Sequence, residues 1–381
     1  MGRVGRAPIV VLALAGLAAT AATAASPPPL PARAQLVADR GVFLKTAEQG
    51  IAQVRKSFWN PSRGWYAGRT SFDPPVASTW TMFPLFEALN AIAIADPTPA
   101  NKAAVNTFAR QAEAYWDQTI ENGAGGVSWL YGLKNTGNAY FDDTGWWGVA
   151  YLDAYRATGN GRWLWDAGRA LQFIDRFGWD AVNGGTWWNV AQDHKTSEPL
   201  AAGTLIAATL YRYQHKKRFL QIATKYISWA DAKTRNPQQD NLYGRSATDG
   251  TVMDYVEGMM IGAHAELCLG TKQKSWCSKA ETLANAALQQ FPILANWAPE
   301  TDIVYMRWLL DLYQVDHNPK WYAVVYANAK RALKNARNPD TGLWDLRWDG
   351  QWTMPDVLYT PSATLQLFAW AAAGVPVKSV H

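Results

Sequence analysis

The sequence predicts an all-α protein built as an (α/α)6 barrel, in which six helical hairpins close into a toroid. Three observations lead to this fold class. Apolar residues recur with helical periodicity along almost the whole chain, and the period-two runs typical of strands are scarce and short. A loop rich in Gly and aromatic residues also returns about every 58 residues, a spacing typical of a helical hairpin repeat.

The composition supports a large folded core with an unusual aromatic content. Of 381 residues, 49% are hydrophobic and only 18% are charged, which excludes global disorder. The chain contains 21 Trp, 16 Tyr and 12 Phe, more aromatic side chains than packing requires. Flat aromatic faces are typical platforms for sugar rings or bases, so a carbohydrate or a nucleic acid is the first ligand class to consider.

The number and distribution of basic residues do not favour a nucleic acid as the binding partner. The formal net charge is +5, and it falls to +3 if the arginines at positions 3 and 6 are cleaved off with a leader. The remaining basic residues are scattered. The one dense cluster, Lys216-Lys217-Arg218, is typical of a helix start rather than of a phosphate-binding stripe. We therefore expect no nucleic-acid partner.

The N-terminus resembles a secretory signal peptide. Arg3 and Arg6 precede an apolar run over 9–19, and small residues at 20–25 offer a cleavage site. We expect a signal peptide over 1–25, a Pro-rich lead-in over 26–34 and one catalytic domain over 35–381, with a secreted or periplasmic mature protein. An uncleaved anchor is the alternative. No later run reaches about 18 apolar residues, so stable membrane insertion is not expected.

The cysteines and histidines indicate no metal site. Cys268 and Cys277 are nine residues apart, and in an oxidising compartment this spacing suits a disulfide between consecutive helices, with two free thiols as the alternative. Two cysteines alone cannot form a structural zinc site. The five histidines are isolated, and no cofactor motif is present. We expect no cofactor and a monomer.

Gly, Pro and helix-capping residues divide the chain into twelve predicted helices. We place them near 35–58, 79–95, 100–120, 143–158, 162–176, 197–214, 217–232, 251–269, 275–291, 300–314, 318–336 and 356–373. Related loops separate them, at 60–66, 125–129, 183–189, 236–244 and 338–345. Twelve helices in six hairpins close into a toroid and bring these loops together at one end of the inner ring. About half of the loop aromatics are expected to be packing plugs.

One loop carries a pair of adjacent carboxylates. Asp142 and Asp143 follow Tyr140-Phe141 and precede a predicted helix whose first turn contains Trp146 and Trp147. Helix capping is the simpler interpretation, because an Asp at a helix start accepts N–H bonds and is favoured by the helix dipole. One Asp is sufficient for a cap, however, and capping does not explain the aromatic residues.

Glycosidic bond cleavage is the chemistry that two close carboxyl groups favour. One carboxylate attacks or stabilises an oxocarbenium-like centre while one carboxylic acid protonates the leaving oxygen. Two like charges a few ångströms apart cannot both ionise freely, so the two pKa values separate. Adjacent residues in a tight turn can place their carboxyl groups about 5 Å apart, the geometry of retaining enzymes.

The segment Tyr140-Phe141-Asp142-Asp143, continued by Trp146-Trp147-Gly148-Val149-Ala150, resembles glycoside hydrolase family 76, the α-1,6-mannanases. The segment 152–160 and the block 184–189 also resemble this family, and a weaker similarity extends over most of the chain. The resemblance implies an (α/α)6 barrel that cleaves internal α-1,6-mannosidic bonds of mannan with retention. By position, Asp142 would be the nucleophile and Asp143 the general acid/base.

The chain departs from the family pattern at one place. Where the family usually has Tyr-Asn-Gln-Gly, this sequence reads Tyr255-Val256-Glu257-Gly258. Two amides are lost and a carboxylate is introduced. Either Asp254 and Glu257 face the cleft and change the sugar preference, or they form a salt bridge on the barrel wall. The departure concerns the linear α-1,6-mannan substrate more than the hydrolase activity.

The predicted substrate platform consists of aromatic and amide side chains. It contains Trp146, Trp147, Trp187 and Trp188, with Asn189 as a donor to a sugar hydroxyl and Tyr140 against a catalytic carboxylate; Tyr255 and Glu257 are further candidates. In each Trp pair, consecutive positions point apart, so one of the two is expected in the core. No arginine cluster accompanies these motifs, which favours a neutral sugar over a uronic-acid or phosphorylated one.

Three other functions are compatible with this barrel. A transglycosylase would use the same two aspartates with a sugar acceptor instead of water. A non-catalytic glycan-binding barrel would keep the tryptophans but tolerate loss of either Asp. A sugar epimerase would need paired histidines, and His194 and His264 do not occur in a paired context. We expect a hydrolase acting on α-mannan.

Overall fold

The computed structural model describes residues 26–134, 138–236, 238–239, 241–291, 294, 298–354 and 356–374. The predicted signal peptide at 1–25 lies outside these ranges, as do Pro237 and Asp240 of one predicted loop. The helices, strands and contacts given below belong to the described residues.

Twelve α-helices occur, as predicted, in two alternating sets. The outer set is α1 (Arg33–Phe58), α3 (Pro99–Ala112), α5 (Gly161–Phe173), α7 (Lys217–Lys233), α9 (Lys274–Gln290) and α11 (Pro319–Asn335). The inner set is α2 (Thr79–Ala95), α4 (Phe141–Thr158), α6 (Ser197–Gln214), α8 (Asp254–Thr271), α10 (Pro299–Asp316) and α12 (Tyr359–Ala373).

Each inner helix packs against the next inner helix, and α12 packs against α2, which closes the ring. Each outer helix packs on its sequence neighbours outside that ring. The predicted (α/α)6 barrel is confirmed. Because the six inner helices run parallel, their N-termini and the loops before them share one end of the barrel. We call this end the mouth.

The third predicted helix ends earlier than expected, which corrects the predicted range 100–120. Its last turn becomes a 3-10 helix over Glu113–Tyr115, and strand β3 (Trp116–Asp117) then pairs with β4 (Gly126–Val127). A similar pair, β1 (Trp59–Asn60) with β2 (Trp65–Tyr66), follows α1. The predicted start of the eighth helix at 251 is also wrong, because α8 begins at Asp254.

A shared turn explains the loop repeat. After each of five outer helices, an Asn or Asp side-chain oxygen accepts the backbone N–H of the residue two positions on, an Asx turn that reverses the chain. These residues are Asn60, Asp117, Asp180, Asn236 and Asn338, with distances of 3.1, 2.9, 2.8, 2.8 and 3.0 Å. Each turn sends the chain back toward the following inner helix.

Glycines in these loops allow close packing on aromatic rings. A Cβ on Gly125 would lie 2.3 Å from the Trp116 indole, and one on Gly184 would lie 2.4 Å from the Trp229 ring. Both glycines also have positive φ, +81° and +70°, which other residues rarely adopt. The Gly/aromatic loops therefore do contain packing plugs.

The two ends of the inner ring differ in charge. At the end opposite the mouth, Arg307 donates to Asp153 at 2.9 Å and Arg156 donates to Glu266 at 2.8 Å. These buried ion pairs join α4, α8 and α10. At the mouth, the charged side chains in the first turns of α4, α6, α8 and α10 are instead all acidic. Negative charge interacts favourably with the positive end of the helix dipole at a helix N-terminus.

Cys268 and Cys277 form a disulfide with an S–S distance of 2.04 Å. The bond joins the last part of α8 to the first turn of α9, beside the sharp connection between the two helices. This connection lies at the opposite end of the barrel from the mouth. The disulfide therefore has no contact with the loops that carry the candidate catalytic residues.

Candidate active site

The two aspartates lie in the first turn of α4, and a neighbouring loop sets the position of that turn. The Phe141 N–H donates to the Trp188 carbonyl at 2.8 Å, and the Val190 N–H donates to the Ala139 carbonyl at 3.0 Å. These two bonds pair the segment before α4 with the segment that follows the Gly184-Gly185 turn. The Asp142 side chain is thereby brought beside the Trp188 indole.

Asp142 is held by two donors and is partly exposed. The Trp188 Nε1–H donates to Asp142 Oδ2 at 2.9 Å, and the Asp143 N–H donates to Asp142 Oδ1 at 2.9 Å. Burial raises the pKa of Asp142 to about 7, the Trp188 hydrogen bond opposes the rise, and the nearby Glu198 charge adds to it. The two donors stabilise the ionised carboxylate.

Asp143 has a different environment although it is the next residue. In the part of the chain that the structure describes, its carboxyl group accepts no hydrogen bond. Burial raises the pKa of Asp143 well above its usual value, and the Asp142 charge raises it further. The pair therefore separates into a hydrogen-bonded group that ionises first and a free group that keeps its proton.

The two tryptophans after the pair point in different directions. The Trp146 ring is only 4% exposed and lies 5.0 Å from Trp80 and 5.9 Å from Tyr255, so it supports these two half-buried rings, which form an aromatic floor between inner helices at the mouth. The prediction that Trp146 itself faces the substrate is therefore wrong. Trp147 is 3% exposed, donates to the Ala112 carbonyl at 3.2 Å and faces the outer helices. The prediction that Trp147 belongs to the substrate platform is therefore wrong, and Trp147 is a core residue.

The second tryptophan pair also divides. The Trp188 ring lies between Tyr140 and His194, at 4.9 and 4.8 Å between centroids. Trp187 faces away from the aspartates, with Lys195 Nζ 4.7 Å from its ring. Tyr140 and Trp188 thus lie at the catalytic pair, whereas Trp187 lines a neighbouring cavity of about 570 Å³.

Asn189 uses one of its two amide N–H groups inside the loop. Its NH₂ donates to Asp193 at 3.2 Å, and its buried Oδ1 has no hydrogen-bond partner among the described residues. An amide NH₂ has two donor hydrogens, so one is left over by the Asp193 bond. The role of Asn189 as a donor to a sugar hydroxyl stays a prediction.

Residues 255–258 of α8, which differ from the family 76 pattern, lie in the barrel wall. Glu257 is fully buried, accepts the Tyr243 N–H at 2.7 Å and forms no salt bridge in the described chain. Both predicted alternatives for Glu257, a cleft position and a salt bridge, are therefore wrong. Burial raises the pKa of Glu257 well above its usual value, which favours the neutral carboxyl group. Its neighbour Tyr255 is half-buried at the mouth beside Trp146.

Further carboxyl groups surround the mouth. Asp254 was a candidate from the sequence, whereas Glu198 and Asp302 were not predicted as site residues. Glu198 lies in the first turn of α6, accepts from Arg245 at 3.3 Å and interacts with Asp142 by charge. Asp254 of α8 and Asp302 of α10 share a hydrogen bond, and burial raises the pKa of Asp254 to about 6. The signal for this set is an acidic residue in the first turn of each of four predicted inner helices.

The described residues contain no group of three or more His, Cys, Asp or Glu side chains that could hold a metal ion. None of the helices in the described ranges combines the length and apolar character that crossing a bilayer requires. The arrangement at the mouth is a carboxylate and a carboxylic acid, side by side, above an aromatic floor. Such a site can transfer a proton and attack an anomeric carbon.

The fold and this site define a glycoside hydrolase. The sequence model of Glycosyl hydrolase family 76 matches residues 131–305. This range includes both aspartates and the loop with Trp188 that is hydrogen-bonded to the segment before α4. Both the resemblance to family 76 and the prediction of a glycoside hydrolase are confirmed. No curated protein sequence matches the chain.

Solved structures share the fold. A family 76 α-mannanase from Bacteroides thetaiotaomicron has a TM-score of 0.76 at 18% identity, covering 89% of this chain and 98% of that one. The α-1,6-mannanase from a Salegentibacter species has a TM-score of 0.70 at 17% identity, covering 87% and 100%. A cellobiose 2-epimerase from Bacillus thermoamylovorans also matches, with a TM-score of 0.63 at 14% identity over 87% and 98%.

Proposed function

We propose that the protein is an exported glycoside hydrolase that cleaves α-1,6-mannosidic bonds of mannan with retention. Asp142 is the nucleophile and Asp143 the general acid/base. The observation that carries this assignment is the unequal environment of the two carboxyl groups, since Asp142 accepts two N–H bonds and Asp143 accepts none. The Salegentibacter relative, an α-1,6-mannanase, supports the linkage, because its inactive variant with two adjacent aspartates replaced is known bound to α-1,6-mannotriose.

The first step of the mechanism uses both ionisation states. Asp143 gives its proton to the glycosidic oxygen as the bond to the anomeric carbon breaks. An oxygen of the Asp142 carboxylate attacks that carbon and forms a glycosyl ester. The Trp188 N–H and the Asp143 N–H hold the Asp142 carboxylate in place, so little reorganisation is needed at the moment of reaction.

The second step follows from the loss of charge on Asp142. Once Asp142 is an ester, its negative charge no longer raises the pKa of Asp143, so the Asp143 carboxylate becomes the stable form. That carboxylate accepts a proton from water, and the water oxygen attacks the anomeric carbon and releases Asp142. Transfer to a sugar hydroxyl instead of water is the transglycosylase alternative, and it uses the same two residues.

The two other candidate functions are less well supported. His264 is buried with Nδ1 2.7 Å from the Met260 carbonyl oxygen, and burial lowers its pKa to about 4. It therefore cannot form a proton-transfer pair with His194, which is paired with Asp193 at 2.7 Å. Epimerisation is disfavoured for this reason. A purely binding protein has no need of two carboxyl groups with separated pKa values.

Azide rescue of alanine variants tests the assignment. With an activated α-mannoside, Asp142→Ala and Asp143→Ala should each lose about 10³-fold or more in turnover. Azide should restore Asp142→Ala with a β-mannosyl azide product, because it then attacks the α-substrate directly. Azide should restore Asp143→Ala with an α-mannosyl azide, because it attacks the glycosyl ester. The reverse pattern would exchange the two roles.

Asp340→Asn is the matched control, because Asp340 is exposed and its carboxyl group takes part in no hydrogen bond or ion pair in the described structure. This variant should keep full turnover. If either catalytic variant is unfolded by circular dichroism, the helix-capping interpretation gains support. If both variants are folded and active on mannan, the proposed mechanism is wrong.

A further inference from the structure

A groove outside the ring of inner helices has an uncompensated positive charge. It lies between α5 and α7, has a volume of about 470 Å³, and is lined by the side chains of Arg176, Arg218 and Lys225 together with Asp175. We call it the outer groove. Lys225 is paired with Asp175 at 2.6 Å, whereas neither arginine forms an ion pair in the described part of the chain. The groove therefore has a net charge of about +2.

Further cationic and aromatic side chains lie next to the outer groove. Lys216 and Lys217, both exposed, precede Arg218 at the start of α7. On α5, the 60% exposed Trp165 lies seven residues before Gln172, which lines the groove, and so shares its side of the helix. The two arginines lie 4.9 and 4.6 Å from the rings of their neighbours Phe177 and Phe219, and Arg169 lies 5.1 Å from the Trp165 ring. The groove thus combines guanidinium groups without a carboxylate partner, amide side chains and a largely exposed indole, the groups that bind charged sugars.

One face of α7 leads from this groove toward the catalytic mouth. Arg218, Lys225, Trp229 and Lys233 occur at intervals of seven, four and four residues, so they lie on one side of the helix over about 22 Å. The first two line the outer groove, and the last two line the cavity of about 570 Å³ next to Trp187.

That cavity reaches the catalytic pair through one residue. His194 lines it, and the His194 ring lies 4.8 Å from Trp188, the donor to Asp142. Lys225 lines the outer groove, and its Nζ lies 4.4 Å from the Trp179 ring. The two cavities therefore lie along one face of α7, and the second of them is at the edge of the active site.

We propose that the outer groove is a second glycan-binding site, which holds a mannan chain through phosphate groups on its sugars while another part of that chain enters the active site. This inference rests on the proposed mannan substrate. Mannose has no carboxyl group, so a negative charge on mannan comes from an ester substituent, of which phosphate matches the guanidinium fork well. The concave shape favours a chain of sugars over a flat lipid surface.

Sequence reasoning could not identify this site. Arg176 and Arg218 are 42 positions apart, and each looks like an isolated surface residue until the fold brings the end of α5 and the start of α7 to the same groove. The expectation of a neutral sugar concerned the motifs around the aspartates, and it applies to the active site. The outer groove lies apart from those motifs.

Binding to a catalytically inactive form tests the site. In an Asp142→Asn/Asp143→Asn background, we expect phosphomannan to bind about tenfold more tightly than the same polymer after removal of its phosphate. Adding Arg176→Gln and Arg218→Gln should abolish that preference. Adding Lys45→Gln and Lys56→Gln, lysines of α1 far from the groove, is the matched control and should leave it intact.

The outcomes separate the alternatives. No preference for phosphomannan, or a preference that persists without Arg176 and Arg218, would overturn the second site. Binding to phosphatidylglycerol vesicles that depends on these arginines, without a phosphomannan preference, would assign the surface to lipid and overturn it too. Hydrolysis of unsubstituted α-1,6-mannan by the wild-type protein is measured separately, so failure of the proposed activity is recognised independently.

Discussion

The Trp188 indole N–H donates to Asp142 Oδ2 at 2.9 Å and thereby links the loop after α5 to the first turn of α4. Tyr140 and His194 pack on the two sides of the Trp188 ring and hold it in that orientation. We therefore infer that Trp188, predicted as a sugar platform, positions Asp142, the proposed nucleophile. The contact also distinguishes two adjacent aspartates that the sequence alone presents as equivalent.

Trp188→Phe keeps an aromatic ring between Tyr140 and His194 but removes the donor. Because the hydrogen bond stabilises ionised Asp142, its loss should raise the pKa of Asp142 above about 7. The acidic limb of the kcat/KM profile should move to higher pH, and kcat/KM should fall about 10- to 100-fold. Trp187→Phe is the control and should leave the acidic limb in place. An unchanged profile in Trp188→Phe would show that the bond is only structural.

Asp142→Asn should change the pH dependence of stability. Burial raises the pKa of Asp142 from about 3.9 in the unfolded chain to about 7 in the fold, so the folded state binds the extra proton between these values. The wild-type free energy of unfolding therefore decreases as pH rises from 4 to 7. Because one pKa unit corresponds to about 1.4 kcal/mol, the Asn variant should gain about 3–4 kcal/mol at pH 8 relative to its effect at pH 4.

Urea unfolding of the wild type and of Asp142→Asn at pH 4 and pH 8 measures this difference. A hydrogen bond that the introduced amide fails to make lowers the free energy of unfolding of the variant by the same amount at both pH values, so it does not contribute to the difference. Equal effects of Asp142→Asn at pH 4 and pH 8 would mean that Asp142 titrates normally in the folded protein.

Glu257→Gln tests whether the altered α8 segment determines substrate preference. Glu257 is buried in the wall with Oε2 unpartnered among the described residues, and a glutamine oxygen can still accept the Tyr243 N–H. We expect kcat/KM on linear α-1,6-mannan to stay within about twofold. Assays on linear and branched mannans give the ratio of the two activities. A changed ratio would place Glu257 in substrate recognition despite its burial.

Trp80→Ala should weaken substrate binding without changing the chemistry. Trp80 is half-buried beside Trp146 on the aromatic floor, and loss of one stacking ring removes about 1 kcal/mol or more of binding. KM for mannotetraose should rise about fivefold or more with little change in kcat. Trp147→Phe, in the core, should instead lower thermal stability and leave KM unchanged. If Trp80→Ala lowers kcat alone, the aromatic floor is not a sugar platform.

Replacing both cysteines with serine should lower stability and leave catalysis unaffected. The disulfide closes a nine-residue connection in the unfolded chain, a constraint worth about 2–3 kcal/mol. Thermal unfolding and mannan hydrolysis below the transition measure the two effects. A loss of activity at a temperature where the variant is folded would connect this remote bond to the mouth.

Most of the fold could be predicted because its signals are local. Helical periodicity and Gly-rich loops indicated all twelve helices, and the loop repeat indicated their closed arrangement. The end of α3 could not be predicted, because Trp116 leaves the helix to pair with Val127 eleven residues later. Two members of the turn repeat, Asp117 and Asp180, were also missed, since an Asp can make the same turn as an Asn.

The site was only partly predictable for a similar reason. Asp142 and Asp143 are adjacent, so their pattern is visible in the sequence. Glu198 and Trp80 reach the mouth from other inner helices, and only the closed ring brings them near the pair. Whether Trp146 or Trp147 faces inward depends on the rotation of α4 in the ring, and helical spacing alone does not fix that rotation.

The central claim is retaining hydrolysis of α-1,6-mannan by the Asp142–Asp143 pair. The most direct test follows unbranched α-1,6-mannan with the mature protein by ¹H NMR, recording chain length and the anomeric configuration of the first products. We expect chain length to fall and α-anomers to appear before mutarotation produces β-anomers. Initial β-products would contradict the nucleophilic role of Asp142, and an uncleaved polymer would contradict the proposed activity.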